Sequence, residues 1–285
     1  MNTNHRKIVF IDIDGTLLTE DGIVPESAQL ACRQARANGH LLYLCTGRSK
    51  AEIYDSIWEI GFDGLIGAAG GYVETGNEML YHKKVTPENV RYLVDYFNAN
   101  NVDFILESNN GLYGSRNLQP HLERRIYGDL LNDPAAQERK LQSPHPYIAT
   151  LVYGEESMVV DDVNKVCFLE SSLPFSQIEA ELAERFTAIQ CSIPIFGADS
   201  GELMIPGIHK ASAIADLLVH LNIPVEDSMA IGDGLNDLEM LGFCRVGVAM
   251  GNAREQLKAI ADDVTDSIEA DGLYNCFLKY GLISA

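Results

Sequence analysis

The chain has 285 residues, of which 46% are hydrophobic and 22% are charged, a composition typical of a globular protein with one or two domains. Its 41 acidic and 21 basic residues give a formal net charge of -20, which argues against a nucleic-acid partner or an anionic membrane surface because the positive counter-charge is missing. No apolar run approaches the roughly 20 residues of a membrane span, and the polar start of the chain is unlike a signal peptide. Six scattered cysteines without a CxxC pair predict free thiols in a reducing cytoplasm.

Both ends of the chain predict strands that alternate with helices. The expected strands cover 7–11, 41–45, 65–66, 228–231 and 246–249, and the expected helices cover 25–37, 50–60 and 210–221. Strands separated by helices of this length pair in parallel through right-handed crossovers. The sequence therefore predicts an α/β core, a doubly wound parallel sheet of the Rossmann-like type, built from residues 1–84 and 200–285.

The stretch 85–199 has a different pattern and predicts an inserted α+β domain. A helix is expected after Thr86, whose hydroxyl suits an N-cap and which precedes a proline. Apolar runs at 102–107 and 111–115 flank an Asn-Asn-Gly turn and predict a hairpin. A further strand at 163–169 precedes a helix at 176–186, so this insertion does not continue the parallel sheet.

Two carboxylates one residue apart follow the first predicted strand. Asp12 and Asp14 stand in Ile8-Val-Phe-Ile-Asp-Ile-Asp-Gly-Thr16. Like charges that close raise each other's pKa unless a cation lies between them. Read alone, the segment also fits an Asp-rich turn in which Gly15 supplies a positive φ.

Similar polar groups end two more predicted strands. The three groups are Asp12 with Asp14, Thr46-Gly47-Arg48, and Asp233 with Asn236 and Asp237. In a parallel sheet these strand ends meet at one edge, where such folds bind ligands. Clustered carboxylates there need a hard cation, and oxygen ligands fit Mg²⁺. Read singly, Thr46 also fits a helix cap and Lys210 a solvated lysine, but their convergence favours a site for metal and phosphate.

The motifs, taken in this order, resemble those of Cof-type phosphatases of the haloacid dehalogenase superfamily. They are Asp12-Ile13-Asp14-Gly15-Thr16, Thr46-Gly47-Arg48, Lys210, and Gly232-Asp233-Gly234-Leu235-Asn236-Asp237. The resemblance spans the full length and implies that the insertion 85–199 is a C2-type (C2B) cap, a mobile lid. It also implies that Mg²⁺ is the cofactor.

The resemblance implies a role for each motif residue. Asp12 would be the nucleophile that forms an aspartyl-phosphate, and Asp14 would be general acid and then general base. Mg²⁺ would be held by Asp12, the backbone carbonyl of Asp14 and Asp233, with Asp237 steadying the site. The residues expected to bind the phosphate are Thr46, Gly47, Arg48, Lys210 and Asn236.

Some positions depart from the family pattern or lie outside its motifs. The chain has Ala69-Gly70-Gly71 where family members often have Asn-Gly-Ala, so an amide is missing. The lysine is followed by Ala211-Ser212 instead of the common glycine. Candidate substrate contacts in the insertion are Asn109, Tyr113, Arg116, His121 and Arg125.

We therefore expect a Mg²⁺-dependent phosphohydrolase that acts on a small phosphorylated metabolite. A sugar phosphate is the favoured substrate, followed by a flavin or pyridoxal phosphate. A phosphomutase on the same scaffold and a non-catalytic phospho-acceptor or binding protein are the alternatives. Neither nucleic acid nor membrane is expected as a partner, and the chain is expected to be a monomer or homodimer.

Overall fold

The computed structural model describes residues 6–76, 78–143, 145–154, 160–191 and 194–284. These residues divide into two compact units. The first unit takes the described residues of Met1–Arg48, Ile53–His82 and Ile208–Ala285, and the second takes those of Ser49–Glu52 and Lys83–Gly207. Each unit has its own sheet and its own apolar core. Strands and helices are numbered below in chain order.

The first unit contains a sheet of eight described strands. They are β1 (Ile8–Ile11), β2 (Leu41–Cys45), β3 (Gly64–Gly67), β4 (Tyr72–Thr75), β5 (Glu78–His82), β12 (Ser228–Gly232), β13 (Val246–Ala249) and β14 (Asp263–Val264). Their spatial order is β14-β13-β12-β1-β2-β3-β4-β5. The six strands from β14 to β3 run parallel, which confirms the predicted doubly wound α/β core. The antiparallel extension β4–β5 was not predicted.

Helices cover this parallel sheet. They are α1 (Glu26–Ala37), α2 (Asp55–Trp58), α8 (Lys210–Leu221), α9 (Leu238–Phe243), α10 (Glu255–Lys258) and α11 (Gly272–Lys279). Every residue of β1 is fully buried, as expected for a strand that is covered on both faces. The helix predicted over 50–60 is wrong: a 3-10 turn at Lys50–Glu52 is followed by the single-turn α2, because residues 49–52 belong to the second unit.

The second unit is α+β, as predicted, with a mostly antiparallel sheet. Its strands are β6 (Phe104–Ser108), β7 (Leu112–Gly114), β8 (Leu151–Tyr153), β9 (Val163–Phe168), β10 (Thr187–Gln190) and β11 (Gly201–Met204), in the order β10-β11-β9-β6-β7-β8. Its helices are α3 (Pro87–Ala99), α4 (Leu118–Tyr127), α5 (Pro134–Gln142), α6 (Pro146–Thr150) and α7 (Phe175–Leu182). The predicted hairpin is β6–β7, and the Thr86 hydroxyl accepts the Asn89 N–H at 3.2 Å as an N-cap.

The bounds of the second unit differ from those of the predicted insertion. It continues to Gly207 instead of ending at residue 199, because β11 pairs with β9 and β10 and not with the parallel sheet. It also includes Ser49–Glu52, which follow the first unit's Arg48 directly. The Asn164 amide donates to Ser49 Oγ at 2.9 Å, and the Lys50 N–H donates to Asn109 Oδ1 at 3.2 Å. These contacts explain why four residues from an early part of the chain join this unit.

The sequence also predicted that no segment spans a membrane and that the cysteines are thiols. Within the described ranges, no helix combines the length and the apolar character that a bilayer crossing demands. All six cysteines are free, and Cys191 alone among them is not fully buried. Burial raises the pKa of the Cys32 and Cys244 thiols to about 12, so these thiols stay protonated and unreactive.

Candidate active site

The end of β1 places Asp12 and Asp14 in different surroundings. The Asp12 N–H continues the strand pairing by donating to the Ile231 carbonyl at 3.0 Å, and its side chain is buried. The side chain of Asp14 is 60% exposed. Gly15 then turns the chain with a φ of 76°, and a Cβ there would lie 2.2 Å from Asp233 Oδ2. Only glycine permits this approach of the β1 loop to Asp233.

Lys210 joins two of the carboxylates. Its Nζ donates to Asp12 Oδ1 at 2.6 Å and to Asp237 Oδ1 at 2.6 Å, and the whole side chain is buried. Burial by itself would lower the pKa of Lys210, but the charges of Asp12 and Asp237 outweigh it and raise the pKa. The lysine is therefore a fixed buried cation and not the solvated residue that a lone lysine suggests.

Asp237 organises the loop after β12. Its Oδ2 accepts the backbone N–H groups of Asp233 at 3.0 Å and of Gly234 at 2.9 Å. A Cβ on Gly232 would lie 2.4 Å from that same oxygen, so the loop packs tightly around the carboxylate. Both oxygens of Asp237 are thus engaged, one with Lys210 and one with the loop. Asp237 is placed to hold other groups in position.

Three carboxylates lie close enough for a shared cation. One oxygen from each of Asp12, Asp233 and Asp237 lies within 4.8 Å of the others. Burial raises the pKa of Asp12, Lys210 opposes that rise, and the charges of Asp237 and Asp233 add to it. Burial, together with Asp237, raises the pKa of Asp233 to about 6. The site therefore concentrates negative charge that one lysine does not fully compensate.

The donor set fits a hard metal ion. Asp12 Oδ1 is taken by Lys210, and Asp233 Oδ1 accepts the Thr16 hydroxyl at 2.9 Å. The Oδ2 atoms of Asp12 and Asp233 make no hydrogen bond within the described residues, so each can ligate a cation. Carboxylate oxygens without nitrogen or sulfur ligands are what Mg²⁺ prefers. Among the predicted ligands, Asp12 and Asp233 each have a carboxylate oxygen without a hydrogen bond to the described residues. Both oxygens of Asp237 are engaged, so this residue positions Lys210 and the β12 loop.

Arg48 binds a carboxylate of the site. Its Nε and Nη2 donate to Asp14 Oδ2 and Oδ1 at 2.9 and 2.6 Å, a bidentate pair. The guanidinium carbon also lies 5.3 Å from the centre of the Tyr54 ring, in cation–π range. The sequence suggested that Arg48 binds phosphate and that Asp14 is the proton donor. In this structure the two side chains hold each other.

The other predicted phosphate ligands lie beside β2. Thr46 is buried, and its Oγ1 accepts the Arg48 N–H at 3.1 Å, which leaves the hydroxyl proton free to donate. A Cβ on Gly47 would lie 3.7 Å from Asn236 Nδ2, so the exposed Asn236 amide stands next to the Gly47 backbone. The structure thus brings these residues of two motifs together.

Sequence reasoning missed two supports of the site. Asn252, in the loop after β13, donates from Nδ2 to the Gly15 carbonyl at 2.8 Å and steadies the β1 loop. Asn252 follows the carboxyl end of a parallel strand, β13, so the argument that predicted the other site residues from strand ends also predicts Asn252. The second support is Ala68-Ala69, two consecutive alanines with φ of 50° and 54°. The Ala69 N–H donates to the Thr46 carbonyl at 2.9 Å, so this strained loop fixes the backbone of the second motif.

Three candidate substrate contacts in the second unit are occupied by contacts within that unit. Asn109 Oδ1 accepts from Asn164 Nδ2 at 2.9 Å, His121 pairs with Asp103, and Arg125 donates to the Ile195 carbonyl at 3.2 Å. These contacts support the fold of the second unit. Tyr113 lies on β7, and Arg116 follows that strand.

Comparisons with known proteins agree with the fold and the motifs. Phosphatase YwpJ of Bacillus subtilis (strain 168) is 28% identical over 281 residues, which cover 94% of this chain and 97% of that protein. HMP-PP phosphatase of Cronobacter sakazakii is 26% identical, with 87% of this chain and 85% of that protein covered. The solved structure of the HAD subclass IIB sugar phosphatase BT4131 superimposes with a TM-score of 0.73 at 25% identity and covers 97% of this chain and 100% of that one.

A family model covers nearly the whole chain. The model of the haloacid dehalogenase-like hydrolases matches residues 9–277, a span that holds the Asp12, Lys210 and Asp233 motifs and the inserted unit. The parallel sheet described above therefore has the fold of that solved sugar phosphatase. The chain belongs to the haloacid dehalogenase-like hydrolases and is one of their phosphatases.

Proposed function

We propose that the protein hydrolyses the phosphomonoester of a small metabolite in a Mg²⁺-dependent reaction through an aspartyl-phosphate on Asp12. The observation that carries this proposal is the Lys210 bridge, which fixes Asp12 beside Asp237 and leaves one Asp12 oxygen free. A carboxylate that is held in position but not fully engaged is what in-line attack on phosphorus requires.

The two steps balance with the groups of this chain. An Asp12 oxygen bonds to phosphorus as the ester P–O bond breaks, and the leaving alkoxide takes a proton from Asp14. A water then attacks the aspartyl-phosphate, gives its proton to Asp14, and releases phosphate with Asp12 restored. For this exchange the Asp14 carboxyl must leave the Arg48 fork, so we propose that Arg48 holds it between turnovers.

The remaining residues position charge around the transferred group. Lys210, the Thr46 hydroxyl and the Asn236 amide neutralise or hydrogen-bond phosphoryl oxygens, with the Gly47 N–H. Mg²⁺ would be held by the Asp12 oxygen that does not attack phosphorus, by the Asp14 carbonyl and by Asp233, and it would supply positive charge to the phosphoryl oxygens. Asp237 positions Lys210 and the loop after β12 and does not contact the phosphoryl group itself.

The substrate class rests on relatives and on the second unit. The names of two relatives specify HMP-PP and a sugar phosphate, and both are small phosphorylated metabolites. We propose a sugar phosphate as substrate, with a flavin or pyridoxal phosphate next, and the second unit as the lid that selects among them. The free buried cysteines fit a cytoplasmic enzyme, and a monomer or homodimer is proposed as the working form.

Hydrolysis of an aryl phosphate tests the reaction. We expect Mg²⁺-dependent phosphate release by the wild type and a loss of at least ~10³-fold in Asp12→Asn, because the nucleophile is removed. Asp14→Asn should retain binding but lose turnover. Asp95→Asn, an exposed carboxylate on α3, is the matched control and should behave as the wild type. Full activity of Asp12→Asn would exclude the proposed nucleophile, and dependence on an added bisphosphate would indicate a phosphomutase.

A further inference from the structure

The parallel sheet has a second polar site at the edge away from the catalytic residues. Asp12 and Thr46 follow the carboxyl ends of β1 and β2, whereas Arg6 and His40 precede the amino ends of the same strands. A strand of five residues spans ~16 Å, so the two edges are far apart. At the amino-terminal edge lies a cavity of about 420 Å³, lined among others by Arg6, Arg33, Arg36, His40, Ile60 and Asp63. Its size suits a small metabolite or an ion.

A buried histidine with an unused donor lines this cavity. His40 is 4% exposed, and its Nδ1 accepts the Lys7 N–H at 3.1 Å. An accepting Nδ1 carries no proton, so the neutral ring carries its proton on Nε2. Burial, together with the charge of Lys7, lowers the pKa of His40, which keeps the ring neutral. No group of the described chain accepts from Nε2, although buried donors are nearly always paired.

The charge around the cavity is positive in a chain of net charge -20. Asp63 is the carboxylate of the lining, and it is engaged by Arg36 at 3.0 Å and by the Leu42 N–H at 2.8 Å. Among the residues that the structure describes, the Arg33 side chain hydrogen-bonds only to the neutral Gln29, at 3.5 Å, and Arg6 has no carboxylate partner. Two guanidinium groups are thus left for a ligand.

Carbonyls at the end of α1 near the cavity already accept backbone hydrogen bonds. The Arg36 carbonyl accepts the Gly39 N–H at 2.9 Å, and the Ala35 carbonyl accepts the His40 N–H at 3.1 Å. Neither carbonyl accepts from His40 Nε2, which has no hydrogen-bond partner among the described residues. Donors reach the cavity from three separate segments: the residues before β1, helix α1 and the loop before β2. A tetrahedral oxyanion offers acceptors in all these directions, whereas the two oxygens of a carboxylate share one plane.

We propose that this cavity is a second anion site, distinct from the catalytic centre, which binds the phosphoryl group of a small molecule through Arg6, Arg33 and His40 Nε2. The occupant is free phosphate or a phosphorylated metabolite, and the shared phosphoryl chemistry defines the site. The proposal does not depend on the catalytic reaction, because the site needs neither the metal nor Asp12.

The test follows His40 directly in the full chain with ¹⁵N-labelled histidines, in buffer that contains EDTA. The chain has 7 histidines, so the His40 signal is assigned by its absence in His40→Asn, whose side chain can still accept the Lys7 N–H. We expect the Nε2-protonated tautomer and a saturable Nε2 shift on addition of inorganic phosphate. The double variant Arg6→Gln, Arg33→Gln should weaken binding at least ~10-fold, because two charged hydrogen bonds are lost.

Arg91→Gln, an exposed arginine of α3, removes one positive charge elsewhere and should bind as the wild type. A parallel titration with a hexose phosphate identifies the source: tighter binding than phosphate indicates a metabolite, and weaker binding indicates the free ion. An unmoved His40 signal, an equal shift with chloride at the same ionic strength, or unchanged affinity in the double arginine variant would overturn the proposal. If His40→Asn does not fold, titration calorimetry measures phosphate affinity in the wild type, in the double variant Arg6→Gln, Arg33→Gln and in Arg91→Gln. The same differences in affinity then support or overturn the proposal.

Discussion

Lys210 shows how one buried side chain sets the chemistry at the scale of a residue. Two carboxylates 2.6 Å from its Nζ are stable in the interior because the ammonium compensates them. Removing one member of such a group leaves an unpaired buried charge, which costs much more than an exposed ion pair contributes. The same lysine therefore supports both the fold and the proposed nucleophile, Asp12.

Replacing Lys210 by methionine should lower both stability and activity. We expect a loss of about 3–5 kcal/mol in the free energy of unfolding, because Asp12 and Asp237 lose their cation, and a rate loss of at least ~10²-fold. Urea denaturation and phosphate release measure the two effects. Lys258→Met, which breaks the surface pair with Glu255, should cost less than about 1 kcal/mol. Equal effects of the two variants would contradict this role of Lys210.

Asp233 links metal binding to pH. Its pKa is raised to about 6 from an ordinary value of 3.8, so the folded state holds this proton more tightly than the unfolded state. Its contribution to stability is therefore largest at low pH and is lost as the pH rises from about 4 to about 6. Mg²⁺ competes with that proton, so Mg²⁺ should raise Tm more at about pH 8 than at about pH 5.

Differential scanning calorimetry with Mg²⁺ or EDTA at the two pH values measures this effect. In Asp233→Asn, which has no proton to exchange, the Mg²⁺-induced rise in Tm should be small at both pH values. An equal rise in the wild type at both pH values would show that Asp233 is ionised throughout.

At the scale of an element, the loop Ala68–Gly70 carries strain. Ala68 and Ala69 both have positive φ, where a Cβ costs roughly 1–2 kcal/mol per residue. Glycine removes that cost, and asparagine tolerates the conformation better than alanine. The strain is retained next to Thr46, whose carbonyl accepts the Ala69 N–H.

Ala69→Gly should therefore stabilise the protein by up to about 1 kcal/mol, after the loss from the freer unfolded chain is subtracted. Chemical denaturation of the full chain measures the change in the free energy of unfolding. Ala215→Gly, in the interior of α8, is the control and should destabilise by roughly 0.5–1 kcal/mol, since helical φ gains nothing from glycine. If both substitutions destabilise alike, Ala69 is not strained.

The elements also show what a sequence can and cannot predict. Asp12, Thr46 and Asp233 were predicted together because parallel strands align their ends, and this alignment follows from local patterns alone, whereas Lys210 was predicted through the family resemblance. The break of the helix predicted over 50–60 was not predictable, because it depends on Asn109 and Asn164, more than fifty residues away. The same holds for β11, which pairs with β9 and not with the core. Long-range pairing decides these cases.

At the scale of the whole molecule, the charge of -20 has a measurable consequence. Unscreened repulsion among 41 acidic residues opposes the compact state. Sodium chloride screens this repulsion, since the Debye length falls from about 30 Å at 0.01 M to about 8 Å at 0.15 M. Tm in EDTA should therefore rise between these two concentrations. A fall would mean that attractive ion pairs at the surface, such as Lys258 with Glu255, dominate the balance.

Residues 49–52 have a practical consequence for dissecting the enzyme. They interrupt the first unit's sequence between Arg48 and Ile53, yet they belong to the second unit, where Asn164 and Asn109 hold Ser49 and Lys50. Excision of 83–207 would therefore leave this tetrapeptide without its partners, immediately after the loop proposed to bind phosphate. A minimal fragment of the first unit needs a redesigned 49–52 connection as well as the deletion, because a simple truncation leaves Ser49 and Lys50 without Asn164 and Asn109.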